Sequence, residues 1–157
     1  MKKTNVLMVC LGNICRSPLA EGILKSKLNT EHFYIASAGT GPWHVGNPPD
    51  PRSVAIAKEH EIDISQQKGR QFSPYDFEEF DRIYVMDRSN YQDVLRLAHN
   101  EQEKSKVSML LNNLFPEENV DVPDPYYGGE DGFKKVYDLI DQACNSIAQE
   151  LNNQTNS

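Results

Sequence analysis

The chain has 157 residues, 38% of them hydrophobic and 25% charged, which is the length of one domain with enough apolar material for a core that needs no staple. A balance of 16 Lys and Arg against 23 Asp and Glu leaves a formal charge of −7, which argues against broad nucleic-acid or anionic-membrane binding but allows one local anion site. Three widely spaced cysteines exclude a disulfide scaffold and suit a reducing, cytoplasmic setting.

Met1-Lys2-Lys3 ahead of Val6–Leu11 superficially resembles a leader peptide. The apolar run, at about six residues, is short of the roughly 7–15 of an h-region, and Val9 is too large to precede a cleavage site. No stretch approaches the roughly 20 apolar residues of a membrane span. Val6-Leu7-Met8-Val9 instead reads as a strand buried on both faces. After a loop, Ser17-Pro18 predicts a helix start, with Ser at the N-cap and Ala20, Ile23, Leu24 and Leu28 as its apolar stripe.

Phe33 to Ala36 reads as a second strand, and Gly39 to Pro51 as a long surface loop. Asp50-Pro51 opens a helix carrying Val54, Ala55 and Ala57. Ile83 to Met86 is a third strand, Ser89 to His99 a helix, and Val107 to Leu111 a fourth strand. Phe133, Val136, Tyr137, Ile140, Cys144, Ile147 and Leu151 recur at helical spacing, and a polar tail follows over 152–157. Alternating strands and helices predict a three-layer α/β/α sandwich over residues 1–151, with a parallel sheet and ligands beyond the carboxyl ends of its strands.

Cys10-Leu11-Gly12-Asn13-Ile14-Cys15-Arg16-Ser17 therefore joins a buried strand to a helix N-terminus. The amides of a first helical turn lack partners and carry partial positive charge. A tight loop in front of them adds converging N–H groups, and Gly12 and Asn13 tolerate the positive φ that such a nest requires. Leu11 through Arg16 thus form a phosphate-sized cradle, with the Arg16 fork matched to two oxygens of a tetrahedral anion. The same field stabilises a thiolate on Cys10, to which Ser17 can donate its hydroxyl. One loop then makes a nucleophile and holds an electrophile against it.

Phosphoryl transfer to sulfur also needs an acid for the departing oxygen. Asp124 stands between Pro123 and Pro125 on a stiff backbone and would sit among apolar neighbours, able to hold a proton. Spacing alone reads equally well as a Pro-rich turn.

Cys10-Leu-Gly-Asn-Ile-Cys-Arg-Ser-Pro18 together with Asp124-Pro-Tyr-Tyr-Gly128 resembles the low-molecular-weight protein tyrosine phosphatases. The resemblance extends over about residues 4 to 151 and includes Ser37-Ala-Gly39, Trp43, Val45-Gly46, Asp50-Pro-Arg52 and Met86-Asp-Arg-Ser-Asn90. It implies a four-stranded parallel sheet with helices on both faces, no metal and no organic cofactor. It implies hydrolysis of phosphotyrosine in tyrosine-phosphorylated proteins through a phosphocysteine on Cys10, releasing inorganic phosphate. Arg16 and the loop amides would hold the phosphoryl oxygens, Ser17 would steady the thiolate, and Asp124 would act as acid and then base. Asn13 would brace the loop with Ser37 as partner.

Phosphotyrosine is long and flat, so Trp43, Tyr126 and Tyr127 are candidate walls of its pocket, with Ile14 on the floor. Phosphoarginine phosphatases carry Thr where Ile14 stands, which favours an aryl ester here. Cys15 reads either as a redox partner that protects Cys10 or as loop packing. Cys144 reads as core, and His32, His44, His60 and His99 show no metal-ligand spacing, though His44 lies beside Trp43. Arsenate reductases share a similar loop but relay electrons through further cysteines and do not need Asp124. A non-catalytic phosphate-binding module would need neither Cys10 nor Asp124. The expected state is a monomer or weak dimer, without nucleic acid or membrane as partner.

Overall fold

Val6-Leu7-Met8-Val9 offers no polar side chain to either side of a pleat, and all four residues are fully buried. Each such side chain contributes about 1.5–3 kcal/mol relative to leaving it in water. In the computed structural model, which describes residues 3–125 and 129–155, this run forms the middle of β1 (Thr4–Cys10). The other strands are β2 (Phe33–Gly39), β3 (Arg82–Val85) and β4 (Val107–Met109). The helices are α1 (Arg16–Lys27), α2 (Pro51–Glu59), α3 (Asp76–Glu79), α4 (Arg88–Arg96), α5 (Glu101–Ser105) and α6 (Gly129–Thr155).

The strands form one parallel sheet in the order β2-β1-β3-β4, with Cys10 opposite Gly39 and Val9 opposite Val85. Side chains alternate between its faces. Val6, Met8 and Cys10 join the α1, α2 and α6 side chains in one core, and Leu7 and Val9 join those of α3 and α4 in the other. This is the expected three-layer sandwich. The chain leaves β1 for β2 on one side and reaches β3 on the other, so a crevice opens beyond the carboxyl ends of β1 and β3.

α6 buries every residue of its predicted apolar seam, from Phe133 to Leu151. Several local expectations differ. Ser17 is not an N-cap: α1 begins at Arg16 after Cys15, and no side chain caps it, because the Ser17 hydroxyl is engaged by a thiol. Nine consecutive residues of α1, Arg16 to Leu24, are buried, since β1, β2, α2 and α6 all pack on it, so no single stripe describes it. α2 buries Ser53, Ile56 and Ala57, while Ala55 faces solvent. Its N-cap is Asp50 as expected, accepting from the Arg52 N–H at 2.8 Å. β4 stops at Met109, and Leu110–Asn113 turns as a 3₁₀ helix. The helices α3 and α5 were not anticipated, being too short to show a period. α6 continues through Asn152–Thr155, within the segment read as a polar tail. Among the described residues, no helix is long and apolar enough to cross a membrane.

Candidate active site

The loop from Cys10 to Cys15 is held by its carbonyls. Cys10 O accepts from Thr40 N at 2.9 Å and Leu11 O from Gly41 N at 2.9 Å, which prolongs the β1–β2 pairing past the sheet's end. Ile14 O accepts from Asp50 N at 2.8 Å, and Cys15 O from Ser53 Oγ at 3.3 Å. With these acceptors turned toward neighbouring elements, the loop presents its amides to the crevice. Asn13 makes the turn in the left-handed region, at φ 58°. Gly39 makes room for it: a Cβ there would stand 2.8 Å from Leu11 O and 3.0 Å from Asn13 N. The uncapped start of α1 faces the same space, an arrangement in which an anion can take the part of the cap.

Cys10 is 3% exposed, and its Sγ faces two donors. Asn13 N–H donates to it at 3.3 Å, and Ser17 Oγ lies 3.0 Å away. The direction of the second bond follows from the surrounding network. Asn13 Nδ2 donates to Ser17 Oγ at 2.9 Å and to Ser37 Oγ at 3.0 Å. Ser37 Oγ donates onward to Glu21 Oε1 at 2.8 Å, and Lys25 donates to Glu21 Oε2 at 3.1 Å. Ser17 therefore accepts from Asn13 and has one proton to give. The sulfur at 3.0 Å takes it in preference to Ala38 O at 3.4 Å.

Arg16, 8% exposed, is anchored through one nitrogen. Its Nη1 donates to Asp87 Oδ2 at 2.9 Å and to Val122 O at 3.0 Å. Asp87 follows β3 and caps α4, its Oδ1 accepting from Asn90 N at 2.8 Å. One carboxylate thus starts a helix and holds the guanidinium, which lines the cleft beside Cys10.

That cleft has a volume of about 190 Å³ and is lined by Cys10, Leu11, Gly12, Ile14, Cys15, Arg16, Trp43, His44, Asp124 and Pro125. Trp43 is 67% exposed, so it is a rim residue and not core; its ring lies against Gly41, where a Cβ would collide with it. His44 Cδ2 lies 3.0 Å from where a Cβ on Gly12 would sit. Asp124 is exposed at the mouth and not enclosed by apolar neighbours, and Pro125 is buried behind it. Pro125 O would be 2.5 Å from a Cβ on Gly132, so that glycine lets α6 come up against the acid-bearing loop. Tyr126 and Tyr127 lie outside the described residues.

Cys15 is buried at 5% exposure, and Cys144 is fully buried between α6 and α1, where burial pushes its thiol up from the ordinary range. His60 and His99 are exposed and His32 is half-buried. Among the described residues, no three His, Cys, Asp or Glu gather as metal ligands. The structure adds Glu21, Arg70 and Asp87 to the expected set. Of these, only Asp87 stood in a segment the sequence had marked, Met86–Asn90.

The family model described as low molecular weight phosphotyrosine protein phosphatase matches residues 5–157. A protein of that name from Schizosaccharomyces pombe is 41% identical over 152 residues, covering 93% of this chain and 96% of the other. The one from Homo sapiens is 37% identical over 150 residues, covering 92% and 94%. A crystal structure of a protein tyrosine phosphatase from Entamoeba histolytica, with Hepes in its active site, superposes with a TM-score of 0.87 at 35% identity, covering 98% of this chain and 99% of that one.

Proposed function

Since the chain belongs to the low molecular weight phosphotyrosine protein phosphatases, we propose that its Cys10 cleft is where phosphotyrosine in proteins is hydrolysed, by the following division of labour. Cys10 Sγ attacks phosphorus as a thiolate, the bond to the aryl oxygen breaks, and Asp124 protonates the departing phenolate. In the second step Asp124 takes a proton from water, the water oxygen bonds to phosphorus, and the P–S bond breaks to release inorganic phosphate. The transition states are loose and carry their charge on the equatorial oxygens. Those oxygens meet Arg16 and the amides of residues 11–16. Ser17 donates to the sulfur as it attacks and again as it leaves.

One observation carries this reading: a buried thiol with two donors aimed at it shares a single cleft with an anchored Arg and a mouth carboxylate. Ile14 and Trp43 supply the apolar wall and rim suited to a flat aryl group, and Tyr126 and Tyr127 are assigned to the same wall. Cys15 is assigned as redox partner. Peroxide would oxidise Cys10 to a sulfenic acid, which condenses with the Cys15 thiol to a disulfide and releases water. The setting proposed is the cytoplasm, the state a monomer or weak dimer.

The test is a pH–rate profile with an aryl phosphate on wild type, Cys10→Ser and Asp124→Asn. Cys10→Ser should be inactive. Asp124→Asn should be slowed most on poor leaving groups. Activity retained by Cys10→Ser, or an unaltered leaving-group dependence in Asp124→Asn, would overturn the respective role. Phosphotyrosine and phosphoarginine peptides compared side by side test the assignment of Ile14, and preference for phosphoarginine would refute it.

A further inference from the structure

Asn13 has one oxygen and one NH2 on its amide, and which faces which way decides where the Ser17 proton goes. The deciding contact comes from outside the loop. The Arg70 backbone N–H, which can only donate, lies 3.0 Å from Asn13 Oδ1. That contact turns the NH2 toward Ser17 and Ser37. Were the amide reversed, its oxygen would face Ser17 and take the hydroxyl proton that now goes to Cys10.

Residue 70 is itself closely held. Arg70 O accepts from Gly39 N at 2.9 Å, Phe72 N donates to Gly39 O at 2.7 Å, and Gln71 bridges Gly39 in parallel fashion. The Arg70 side chain then folds back on Asp76. Nη1 meets Oδ2 at 3.1 Å and Nη2 meets Oδ1 at 3.0 Å, while Ser73 N–H donates to Oδ2 at 2.9 Å. The Asp76 side chain is 4% exposed and the Arg70 side chain 38%. A buried carboxylate at the start of the four-residue helix α3 thus closes a loop whose first residue points its amide at Asn13. Neither side chain lines the cleft.

We propose that the Arg70–Asp76 ion pair is a positioning device for the nucleophile: it fixes the Arg70 N–H that orients the Asn13 amide, and through Asn13 it directs the Ser17 proton to Cys10. This rests on the reading of Cys10 as nucleophile. Arg70 and Asp76 are positioning residues, acting through Asn13 and not on substrate.

Asp76→Asn tests it. An amide in place of the carboxylate can satisfy Arg70 Nη2 or the Oδ2 donors Arg70 Nη1 and Ser73 N–H, but not both sides. The charges facing the cleft, Arg16 with its partner Asp87 and the mouth residues Asp124 and His44, are unchanged by it. The pH midpoint of Cys10 alkylation by iodoacetate should rise by about one unit, which corresponds to a tenfold loss of thiolate below it. The value of kcat should fall about tenfold while KM stays within about twofold, because the cradle for phosphate is intact. Arg70→Gln, at the more exposed end of the pair, should act in the same direction and serves if Asp76→Asn folds poorly. In an Asn13→Ala background either change should have no further effect on the midpoint.

A lowered Tm with unchanged midpoint and kcat, or effects that add to those of Asn13→Ala, would overturn the proposal and leave the pair a structural clamp. Cys10→Ser separates the two claims. If it stays active the nucleophile reading fails. If it is inactive and the coupling to Asn13 is absent, only the positioning role fails.

Discussion

Replacing Asp87 by Asn separates the two tasks of one carboxylate. Asn is as good an N-cap as Asp, so the bond from Asn90 N to the side chain survives and α4 keeps its start. What is lost is the charge 2.9 Å from Arg16 Nη1. Charge-assisted hydrogen bonds contribute about 1.5–3 kcal/mol, and each 1.4 kcal/mol is about tenfold in rate. The Asp87 side chain is 19% exposed and Val122 O still holds Nη1, so the lower part of that range applies. The expected result is a kcat/KM on an aryl phosphate reduced by about tenfold to thirtyfold, with Tm lowered by roughly 3–8 °C because the same bond ties the loop to the start of α4. Asp87→Ala should lose the same activity plus about 1 kcal/mol of capping, or roughly 2–4 °C in Tm. Charge alone argues the other way, since removing an anion beside Arg16 makes the cleft more attractive to phosphate. Inhibition by inorganic phosphate therefore decides. Tighter inhibition with undiminished turnover would show that Asp87 merely neutralises Arg16 and does not aim it.

Three further outcomes are expected. Gly39→Ala would press a Cβ to 2.8 Å from Leu11 O. Overpacking of this kind costs about 1–3 kcal/mol, and distortion of the loop should cut turnover beyond what the Tm change accounts for; normal kcat would refute the close-approach argument. Burial, with Asp141 beside it, pushes the Tyr137 phenol up to about 12 from its ordinary 10.0, and burial moves Tyr84 the same way. A raised folded value means the contribution is complete below pH 10 and is lost as pH climbs toward 12, so Tyr137→Phe should flatten the decline of urea midpoints over that interval; an unchanged slope would count against it. Iodoacetamide at neutral pH should modify Cys10 and leave the fully buried Cys144 untouched in the folded protein, as read by peptide mass spectrometry; an adduct on Cys144 would contradict its burial.

The cradle was legible in the sequence because its parts are contiguous. An apolar run, a Gly-Asn turn, an Arg and a helix start lie within residues 6–18, and local rules relate them. The sandwich was legible for a similar reason, since its long runs carry strong periods. Asp87 escaped because its role depends on β3 lying next to β1, which brings together residues 71 apart in sequence. Glu21 carried no signal of its own, since only the packing of β2 on α1 places Ser37 against it. Ser17 looked like a cap because a hydroxyl before a proline usually is one; the sulfur at 3.0 Å claimed it instead. Asp124 was found from its flanking prolines, but its exposure is set by how α6 meets Pro125, which no local pattern encodes.

Burial divides the proposed site into a part assigned the chemistry and a part assigned the choice of guests. Cys10 and Arg16 are at most 8% exposed and are held by Ser17, Asn13, Asp87 and Val122, whereas Trp43 stands 67% in water on a segment of turns. On that assignment, changes at Trp43 and Val45, whose backbones hold none of the loop carbonyls, should retarget the protein while its centre goes untouched, whereas Thr40, Gly41 and Asp50 should be left alone because they hold the loop.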